Sequence, residues 1–555
     1  MTTPVRDLAD RLAHRILAAD PTLGTFLGLR EYDGLLPDES AQAEQALVAD
    51  LQQIDAEAAT LDPADAADRI THSVIRSVCA QYAAQVDTLA ATYTVSPMPF
   101  SGPPALFAMA AHTDVHDEQS AADYLRRLRD SPRWFDTTCD RLREGRAAGR
   151  LPVGSLVDQA LAWVENALAT PIPPALLAPT PPEDWDGAAG WSAEVEATIT
   201  GAVMPAVVRW RDLLVELRPD ARADESAGLA ALPGGDQIYH RWIALHTTLE
   251  LSADELHQIG LDAVTALEQR AVELGAELDL HNLADVITAV RASAAAVDPD
   301  ASMAAARAAI ARAEARAADI MAPPLPDPCA VEAMPATVAE AGMAPHYTPP
   351  REDTGRPGTF WFNTMQATAG TGWDLEAVAF HEAVPGHHSQ LARTQRLAGL
   401  PLLHQLPVTV HAEGWGLYAE RLAGEFDLYS DVRAQLGSVY IEMHRAARLV
   451  VDTGLHARGW SRQQARQFMI DHVALPEQFL ANEIDRYIAW PGQALAYLTG
   501  QRELLRLRAQ ASAELGDAFD LPTFHSVLLD SGSLPMPVLQ VAVDDWIADR
   551  GRAGT

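Results

Sequence analysis

Three histidines and one glutamate lie within eight residues, in the stretch HEAVPGHH at 381–388. His381 and Glu382 are adjacent, and His387 and His388 follow six and seven positions after His381. Imidazole nitrogens and carboxylate oxygens are common ligands of zinc, which in a hydrolytic site takes three protein ligands and leaves one position open. The residue types therefore indicate a divalent metal site, provided that the backbone brings these side chains together.

The spacing of the histidines does not suit a regular helix. The zinc-peptidase signature H-E-x-x-H has its two histidines four residues apart, on one helical face. Because each residue turns a helix by about 100°, His387 would point roughly 240° away from His381. His388 would return to the same face but about 10.5 Å further along the axis. A regular helix therefore presents neither pair to one metal ion.

Pro385 and Gly386 lie between the histidines and predict a distorted backbone. Pro385 has no N–H to donate to the carbonyl of His381, and its ring crowds that carbonyl. Gly386 adds backbone freedom at the next position. We expect a local bulge that absorbs two residues and brings His387 to the place of the second histidine in the signature. His388 remains the alternative second ligand.

Glutamates supply the other groups that a hydrolytic zinc site needs. Glu382 directly follows the first histidine, which is the position of the general base in H-E-x-x-H peptidases. The third ligand is expected on the next helix, where TVHAEGWGLYAERLAGEF at 409–426 carries Glu413, Glu420 and Glu425. One of these would coordinate the metal, and another would orient a ligand histidine.

Two glycines favour a buried position for Glu413. Standing alone, Glu413 would be interpreted as a solvated helix glutamate. Gly414 and Gly416 weaken that interpretation, because a glycine inside a helix costs about 1 kcal/mol relative to alanine. We therefore expect another element to pack closely against the helix beside Glu413.

A later segment, RYIAWPGQALAY at 486–497, carries groups that could bind a peptide substrate. Tyr487 or Tyr497 could donate to an oxyanion that develops on the substrate carbonyl. Arg486 could bind a carboxylate in bidentate fashion. Gln493 shares a helical face with Tyr497, so we include it among the predicted substrate-binding residues.

The segment HRAARLVVDTGLH at 444–456 places Arg448, Asp452 and His456 four residues apart. These residues would form a salt-bridge ladder on a surface helix. In the wall of a cleft, Arg448 would bind substrate termini and His456 would act as a proton donor. The predicted strand at 359–364 could in addition pair with an extended peptide by edge addition.

The composition excludes several classes of function. A net charge of −35 opposes nucleic acid binding, because phosphates would be repelled and the sequence has no offsetting basic patch. The chain contains no lysine, which excludes a P-loop of the G-x-x-x-x-G-K type and a pyridoxal Schiff base. Cys79, Cys139 and Cys329 are far apart and odd in number, so we expect buried thiols without a disulfide or metal motif.

Two features predict a cytoplasmic protein that does not interact with membranes. The sequence has no run of about 18 uncharged apolar residues that could span a bilayer. The stretch MTTPVRDLADRLAHRILAADP at 1–21 mixes charged and apolar residues and lacks the apolar core of a secretory signal. Nothing in the sequence indicates an oligomeric state.

Most of the chain is predicted to be helical, because alanine, leucine, glutamate and arginine recur at intervals of three and four. Ser252 and Glu255 have the spacing of a capping box and mark the start of one helix. A small sheet is expected near 329–366, with GTFWFNT as one strand. Clear examples of predicted helices are 5–20, 40–60, 65–93, 120–147, 155–169 and 191–218.

Breaks rich in proline and glycine predict the domain organisation. The longest is TPIPPALLAPTPPEDWDGAAG, a semi-rigid segment. We predict an N-terminal helical subdomain at 1–170, a Pro-rich connector at 171–190 and a catalytic helical subdomain at 191–555.

Several long motifs resemble the DUF885 family, a bacterial group placed near the gluzincin metallopeptidases. The resemblance covers at least residues 225–500, including the segment GLAALPGGDQIYHRWIALHTTLELSADELHQIG. The other motifs are HEAVPGHHSQ, EGWGLYAE, RAARLVVDTGLHARGW and RYIAWPGQALAYLTG.

The resemblance implies a mainly α fold, large, helical and metallopeptidase-like, with a small β-sheet beside the active-site helix. In gluzincins the second histidine ligand follows a glycine, so Gly386 implies that His387 is that ligand. The stretch AEGWG is similar to the N-E-G-F-A of the M1 aminopeptidases and makes Glu413 the third ligand. The two residues inserted relative to H-E-x-x-H keep His388 as the alternative.

These observations predict a zinc-dependent peptidase that acts on short peptides. Zn²⁺ would be held by His381, His387 and Glu413. Glu382 would take a proton from water and pass it to the leaving amine, while a tyrosine or His456 would stabilise the oxyanion. A metal-dependent hydrolase or lyase of a small amide or ester is the first alternative, and a non-catalytic helical binding protein is the second.

Overall fold

A computed structural model describes most of the chain and shows a mainly α protein, as predicted. The described residues are 3–98, 102–111, 113–182, 184–293, 298–324, 327–334, 339, 344–350, 355–364 and 372–553. The helices before residue 294 are α1 Pro4–Ala19, α2 Pro21–Phe26, α3 Ala41–Ala58, α4 Ala66–Asp87, α5 Pro104–Ala111, α6 Glu118–Ala147, α7 Gly154–Leu168, α8 Ala188–Thr198, α9 Met204–Leu217, α10 Gly235–Thr247, α11 Ala253–Gly275 and α12 Leu283–Ser293.

The remaining helices lie between residues 299 and 553 and include the histidine-rich stretch. They are α13 Pro299–Glu314, α14 Ala317–Ile320, α15 Leu375–Glu382, α16 Arg393–Arg396, α17 Thr409–Glu425, α18 Val432–His456, α19 Arg462–His472, α20 Glu477–Ala489, α21 Ala496–Leu515, α22 Leu521–Leu529 and α23 Met536–Ala553.

Local capping explains where several helices begin. Ser252 caps α11 by accepting from the backbone N–H of Glu255, whose side chain accepts from the backbone N–H of Ser252, so the predicted capping box is confirmed. Asp431 caps α18 in a similar way by accepting from the backbone N–H groups of Arg433 and Ala434. The predicted helix at 191–218 is confirmed as a continuous helical segment in which a π-helical turn, Ile199–Val203, separates α8 from α9.

The small sheet has three strands among the described residues, β1 Ala330–Ala333, β2 His346–Thr348 and β3 Thr359–Phe362. Its order is β1-β3-β2, with β3 parallel to β1 and antiparallel to β2. The predicted strand is therefore present as β3. The prediction that it accepts a peptide by edge addition is wrong, because β1 and β2 occupy both of its sides.

Among the described residues, three hydrophobic clusters form the core. One joins α1, α3 and α4 to the sheet and to helices of the C-terminal half, including α15 and α17. A second centres on α10, α11, α18 and α20. The N-terminal helices therefore share a core with the helices that carry the histidine-rich stretch.

The third cluster crosses the Pro-rich connector and runs from Val95 to Leu217. The connector contains the 3₁₀ helix Pro174–Leu177. Leu176 is fully buried there, and its carbonyl accepts a hydrogen bond of 2.6 Å from the hydroxyl of Tyr124. This segment is thus packed against the helices on both sides of it.

Candidate functional site

The histidine-rich stretch is a broken helix. Helix α15 ends at Glu382, residues 383–386 form a turn, and a π-helical turn, His388–Ala392, follows. The structure thus replaces the predicted two-residue bulge with a complete break. Gly386 is required in it, because a Cβ there would lie 1.9 Å from the carbonyl oxygen of His381.

Helix α17 holds the break in place. The indole N–H of Trp415 donates to the carbonyl oxygens of Pro385 at 2.9 Å and Gly386 at 3.2 Å. Trp415 is fully buried, so this contact fixes the turn against the core. The helix that carries the predicted third ligand therefore also sets the conformation between the two histidines.

The break brings His381, His387 and Glu413 together. The two imidazole rings lie edge to face with centroids 4.7 Å apart. Oε2 of Glu413 lies 3.5 Å from Nε2 of His381 and 3.8 Å from Nε2 of His387. One carboxylate oxygen and two imidazole nitrogens thus converge on a common point.

Glu420 lies seven residues, about two helical turns, after Glu413 in α17 and orients His381. Its Oε1 accepts a hydrogen bond of 2.8 Å from Nδ1 of His381, which leaves Nε2 directed towards Glu413. Both His381 and Glu420 are 4% exposed. A carboxylate that fixes the ring orientation and tautomer of a ligand histidine is a frequent partner of a metal site.

The glycines of α17 pack as predicted. A Cβ on Gly416 would lie 2.5 Å from Cε1 of His381, so the ring occupies the space that a side chain would need. A Cβ on Gly414 would lie 2.6 Å from Cα of Gly500 in α21. The two glycines therefore allow α15 and α21 to approach α17 on either side of Glu413.

The charges in this cluster are strongly coupled. Burial opposes a charged imidazole, but hydrogen bonds with Glu413 and Glu420 raise the pKa of His381 to about 10. Burial likewise disfavours the carboxylate of Glu413, yet His381 and His387 hold its pKa well below the usual range. The carboxylates thus favour a positive charge at their centre, which is the charge that a divalent cation carries.

The donor set fits zinc. Ligand atoms around a tetrahedral zinc ion with bonds of about 2.1 Å are about 3.4 Å apart, close to the 3.5 Å and 3.8 Å that separate Glu413 from the two histidines. His387 faces Glu413 with Nε2, and its other ring nitrogen, Nδ1, is buried without a hydrogen-bond partner in the described part of the chain, so no partner fixes this ring from behind. The residues present therefore suit a metal ion held by two Nε2 atoms and one carboxylate oxygen.

Glu382 lies beside this donor set. One of its carboxylate oxygens is within 4.8 Å of the ligand-type nitrogens of His381 and His387. Glu413 makes direct contacts of 3.5 Å and 3.8 Å with Nε2 of His381 and Nε2 of His387, so we assign Glu413 as the candidate ligand. Glu382 is half-buried and remains close enough to exchange a proton with a molecule at the centre.

His388 lies outside the cluster. Its Nδ1 is 2.9 Å from the hydroxyl of Tyr347 in β2, and its Nε2 donates to the carbonyl of Asp327 at 2.9 Å. Burial lowers its pKa to about 4, so the ring is neutral. His388 thus fastens the broken helix to the sheet, and His387 is the histidine that faces Glu413.

The predicted oxyanion donor Tyr487 belongs to a separate buried cluster. Its hydroxyl donates to Oε2 of Glu483 at 2.7 Å and accepts from Nε of Arg448 at 2.9 Å. Tyr487 is fully buried. Its O–H group is therefore already hydrogen-bonded to Glu483, and no contact joins this hydroxyl to His381 or His387 among the described residues.

Glu483 is the centre of this cluster. It also accepts from Nη2 of Arg448 at 2.8 Å and from Nε and Nη2 of Arg486 at 2.9 Å and 3.0 Å. The third nitrogen of Arg486 donates to Oε1 of Gln493 at 2.6 Å. Arg486 and Gln493, both predicted to bind substrate, are thus used to hold Glu483.

Tyr497 links the two clusters. Its ring stacks on His381 with centroids 6.5 Å apart, and the guanidinium carbon of Arg448 lies 4.4 Å from the centroid of the same Tyr497 ring. Arg445 also lies over this ring, at 4.9 Å. The Tyr497 hydroxyl makes no hydrogen bond with the residues that the structure describes, so this tyrosine is the better placed of the two predicted donors.

His456 has the contacts of a structural histidine. Its Nδ1 accepts from the backbone N–H of Leu229 at 3.1 Å, and its Nε2 donates to the carbonyl of Tyr487 at 3.0 Å. Burial lowers its pKa to about 3. The role of proton donor predicted for His456 is not supported by these surroundings, because its only N–H is bonded to the backbone.

Asp452 does not form the predicted ladder with Arg448 and His456. It accepts from the hydroxyl of Tyr239 at 2.6 Å and from the backbone N–H of Gly492 at 3.1 Å. Its burial raises its pKa to about 7. These contacts hold the turn between α20 and α21, which carries Gln493.

Two groups that sequence reasoning did not assign are important here. Glu483 collects three of the donors described above, and Arg445 lies over Tyr497 beside the site. Glu483 and Arg486 are three residues apart in one helix, and this spacing favours an ion pair. The spacing could therefore have identified Glu483 as a partner of Arg486 from the sequence. Arg445 had no such signal, because Tyr497, over whose ring it lies, comes from another helix.

The comparisons with known proteins agree with this fold. A family model described as "Bacterial protein of unknown function (DUF885)" matches residues 21–543, so the chain belongs to this family. A search among curated proteins gave no match. Within the described residues, no helix is both long enough and apolar enough to cross a membrane.

Two solved structures resemble the protein over nearly its whole length. A "putative lipoprotein" from Colwellia psychrerythraea is 26% identical, with a TM-score of 0.89, and the match covers 98% of this chain and 99% of that chain. A second "putative lipoprotein", from Shewanella oneidensis, is 15% identical, with a TM-score of 0.74 and a coverage of 97% and 99%. The second similarity indicates a shared fold alone.

Proposed function

We propose that the protein is a zinc-dependent hydrolase of peptide bonds in short peptides, related in its site to the gluzincin metallopeptidases. The observation that carries this proposal is that Oε2 of Glu413 lies within 3.8 Å of Nε2 of both His381 and His387. Glu420 supports it, because it fixes the ring of His381 from behind.

Zinc held by these three residues would supply a Lewis acid that polarises a substrate carbonyl and makes water more acidic. Glu382 would take the proton that water loses when its oxygen attacks the carbonyl carbon. The same carboxyl would then give this proton to the leaving amine. Its position within 4.8 Å of the ligand histidines is the support for this role.

Tyr497 would stabilise the negative charge that develops on the carbonyl oxygen. Its stacking on His381 keeps it beside the centre, and its hydroxyl has no other partner in the described residues. A donor aimed at a developing oxyanion contributes a large part of the catalysis of acyl transfer. Tyr487 and His456 are not part of this mechanism, since their hydrogen-bonding groups are already engaged.

The test combines peptide hydrolysis with a variant that keeps the metal site. Purified, zinc-loaded protein is assayed on a library of dipeptides and tripeptides by mass spectrometry, beside Glu382→Gln. Wild type is expected to cleave members of the library, and Glu382→Gln is expected to keep zinc and lose most of this activity. Full activity in Glu382→Gln would refute the general-base assignment. A small amide or ester as the only substrate would support the alternative hydrolase.

A cytoplasmic location is kept as part of the proposal. The name of the relative that is 26% identical suggests the alternative of a membrane-anchored protein outside the cytoplasm. Fractionation of the natural cells followed by immunoblotting distinguishes the two, because an anchored protein would sediment with the membranes.

A further inference from the structure

We propose that Arg445 and Arg448 form a pocket for the free carboxylate of the substrate, so that the enzyme cleaves peptides from their carboxyl end. This inference rests on the proposed hydrolysis at His381, His387 and Glu413. It adds the substrate class, peptides with a free carboxyl terminus, and the direction of cleavage.

The first support is an excess of positive charge. Arg445, Arg448 and Arg486 lie around one carboxylate, that of Glu483. Glu420 is also near Arg445, but it is hydrogen-bonded to His381. His444 is neutral, because burial lowers its pKa to about 3. A group of three guanidinium ions with one dedicated counter-ion suits a further anion.

The second support is a pair of unused donors. Arg448 is 4% exposed, and its Nη1 has no hydrogen-bond partner among the described residues. Nε of Arg445 is likewise buried and without a partner there. Buried donors without an acceptor cost free energy, and the cost is removed when a ligand supplies the acceptor. Arg486 has no free donor for the substrate carboxylate, since its three nitrogens are hydrogen-bonded to Glu483 and Gln493.

The third support is the distance from the candidate metal centre. Tyr497 lies between the two sites, with its ring centroid 6.5 Å from that of His381 and 4.4 Å from the guanidinium carbon of Arg448. These distances limit the separation of His381 and Arg448 to about 11 Å, which is roughly three residues of extended chain. Part of that length is taken up by the contacts at each end, so one or two residues fit between the cleaved bond and the terminal carboxylate.

The reaction that follows is hydrolysis near the carboxyl terminus. The oxygen of water forms a bond to the carbonyl carbon, and the C–N bond breaks. One proton of the water goes to the leaving nitrogen through Glu382. The products are a shortened peptide with a new carboxylate and a free amino acid or dipeptide that carries the original carboxylate.

The test uses N-acetylated tripeptide libraries in two forms, one with a free carboxyl terminus and one with a C-terminal amide. Cleavage by the zinc-loaded enzyme is measured by mass spectrometry. Binding to zinc-loaded Glu382→Gln is measured by equilibrium dialysis, so that recognition is read independently of hydrolysis. Arg445→Gln and Arg448→Gln are compared with Arg433→Gln, which removes an exposed arginine from the same helix.

Wild type is expected to prefer the library with a free carboxyl terminus roughly hundredfold in kcat/KM, because an amide leaves Nε of Arg445 and Nη1 of Arg448 without a charged acceptor. Arg445→Gln and Arg448→Gln should lose most of this preference through a higher KM for acids, while Arg433→Gln keeps it. Arg445→Gln serves as the second variant if replacement of the buried Arg448 prevents folding.

The outcomes separate the two proposals. Equal cleavage of acids and amides by wild type would overturn the carboxylate pocket and leave the proposed hydrolysis intact. If the peptides with a free carboxyl terminus bind preferentially but wild type cleaves none of them, the carboxylate pocket is supported and the proposed peptide hydrolysis is overturned. Neither binding nor cleavage of the acid library would overturn both. An unchanged preference in Arg445→Gln and Arg448→Gln would overturn the assignment of these residues.

Discussion

Nδ1 of His381 donates a hydrogen bond of 2.8 Å to Oε1 of Glu420, and both side chains are almost fully buried. This contact joins α15 to α17, and it leaves Nε2 of His381 directed at Oε2 of Glu413. Two glutamates of one helix therefore hold the same imidazole, one from each nitrogen. The proposed metal site depends on this arrangement.

Glu420→Gln should weaken zinc binding without removing a ligand. The neutral amide is a poorer acceptor for Nδ1, so His381 becomes a weaker and less well oriented ligand. We expect a loss in zinc affinity of about 10–100-fold. Competition with a chromophoric chelator measures it. Glu425→Gln, an exposed position of the same helix, is the control and should bind zinc as wild type does.

His387→Ala and His388→Ala should have opposite effects. His387→Ala removes a proposed ligand and should abolish tight zinc binding. His388→Ala should retain zinc but unfold more easily, by about 1–3 kcal/mol, because it loses its contacts with Tyr347 and Asp327. Metal analysis and urea unfolding of both variants decide this. Zinc loss in His388→Ala alone would reverse the ligand assignment.

Gly416→Ala should disrupt the site through a single methyl group. The new Cβ would lie 2.5 Å from Cε1 of His381, so the ring must move away from Glu413. We expect a loss of about 1–3 kcal/mol in unfolding free energy and weaker zinc binding. Gly424→Ala is the matched control in the same helix, since its nearest neighbour, Cε2 of Tyr429, is 3.8 Å away. That control should be neutral or stabilising by up to about 1 kcal/mol.

Tyr497→Phe should lower kcat and leave zinc content unchanged. The loss of the proposed oxyanion donor predicts a decrease of about 10²–10³-fold, with a smaller change in KM. Steady-state kinetics on a cleaved peptide provide the measurement. Tyr440→Phe is the control, because the buried Tyr440 hydroxyl has no hydrogen-bond partner among the described residues. A kcat equal to that of wild type would exclude Tyr497 as the donor.

Acid should destabilise the protein in part through His456. Burial lowers its pKa from 6.5 to about 3, so the unfolded state binds a proton that the folded state does not. The contribution of neutral His456 to the free energy of unfolding is fully present above pH 6.5. It decreases by up to about 1.4 kcal/mol per pH unit as the pH falls towards 3. His456→Asn removes this titration while keeping an acceptor for Leu229. Its unfolding free energy should be lower at pH 7 but fall less steeply between pH 6 and 4 than that of wild type.

Local features of the fold were predictable from the sequence. Helix α11 begins at its capping box, because Ser252 and Glu255 satisfy each other's backbone groups without help from distant residues. The glycines of α17 also revealed close packing, since glycine inside a helix needs a compensating contact. The strand β3 was recognisable, but its pairing was not, because β1 and β2 are short and come from separate parts of the chain.

Contacts between distant segments limited the prediction of the site. His456 had the spacing of a cleft residue, but its partners are the backbone of Leu229 and of Tyr487, which no side-chain pattern indicates. Pro385 and Gly386 correctly indicated a distortion. Its extent, a full break held by Trp415, depended on a residue 30 positions away.

Zinc content is the most direct measurement of the proposed centre. Wild type and Glu413→Gln are loaded with zinc, dialysed against metal-free buffer and analysed by inductively coupled plasma mass spectrometry, with circular dichroism to verify folding. One zinc per chain is expected in wild type, and a folded Glu413→Gln should retain far less. A wild-type protein without stoichiometric zinc, or a Glu413→Gln variant that retains it fully, would contradict the proposed metal centre.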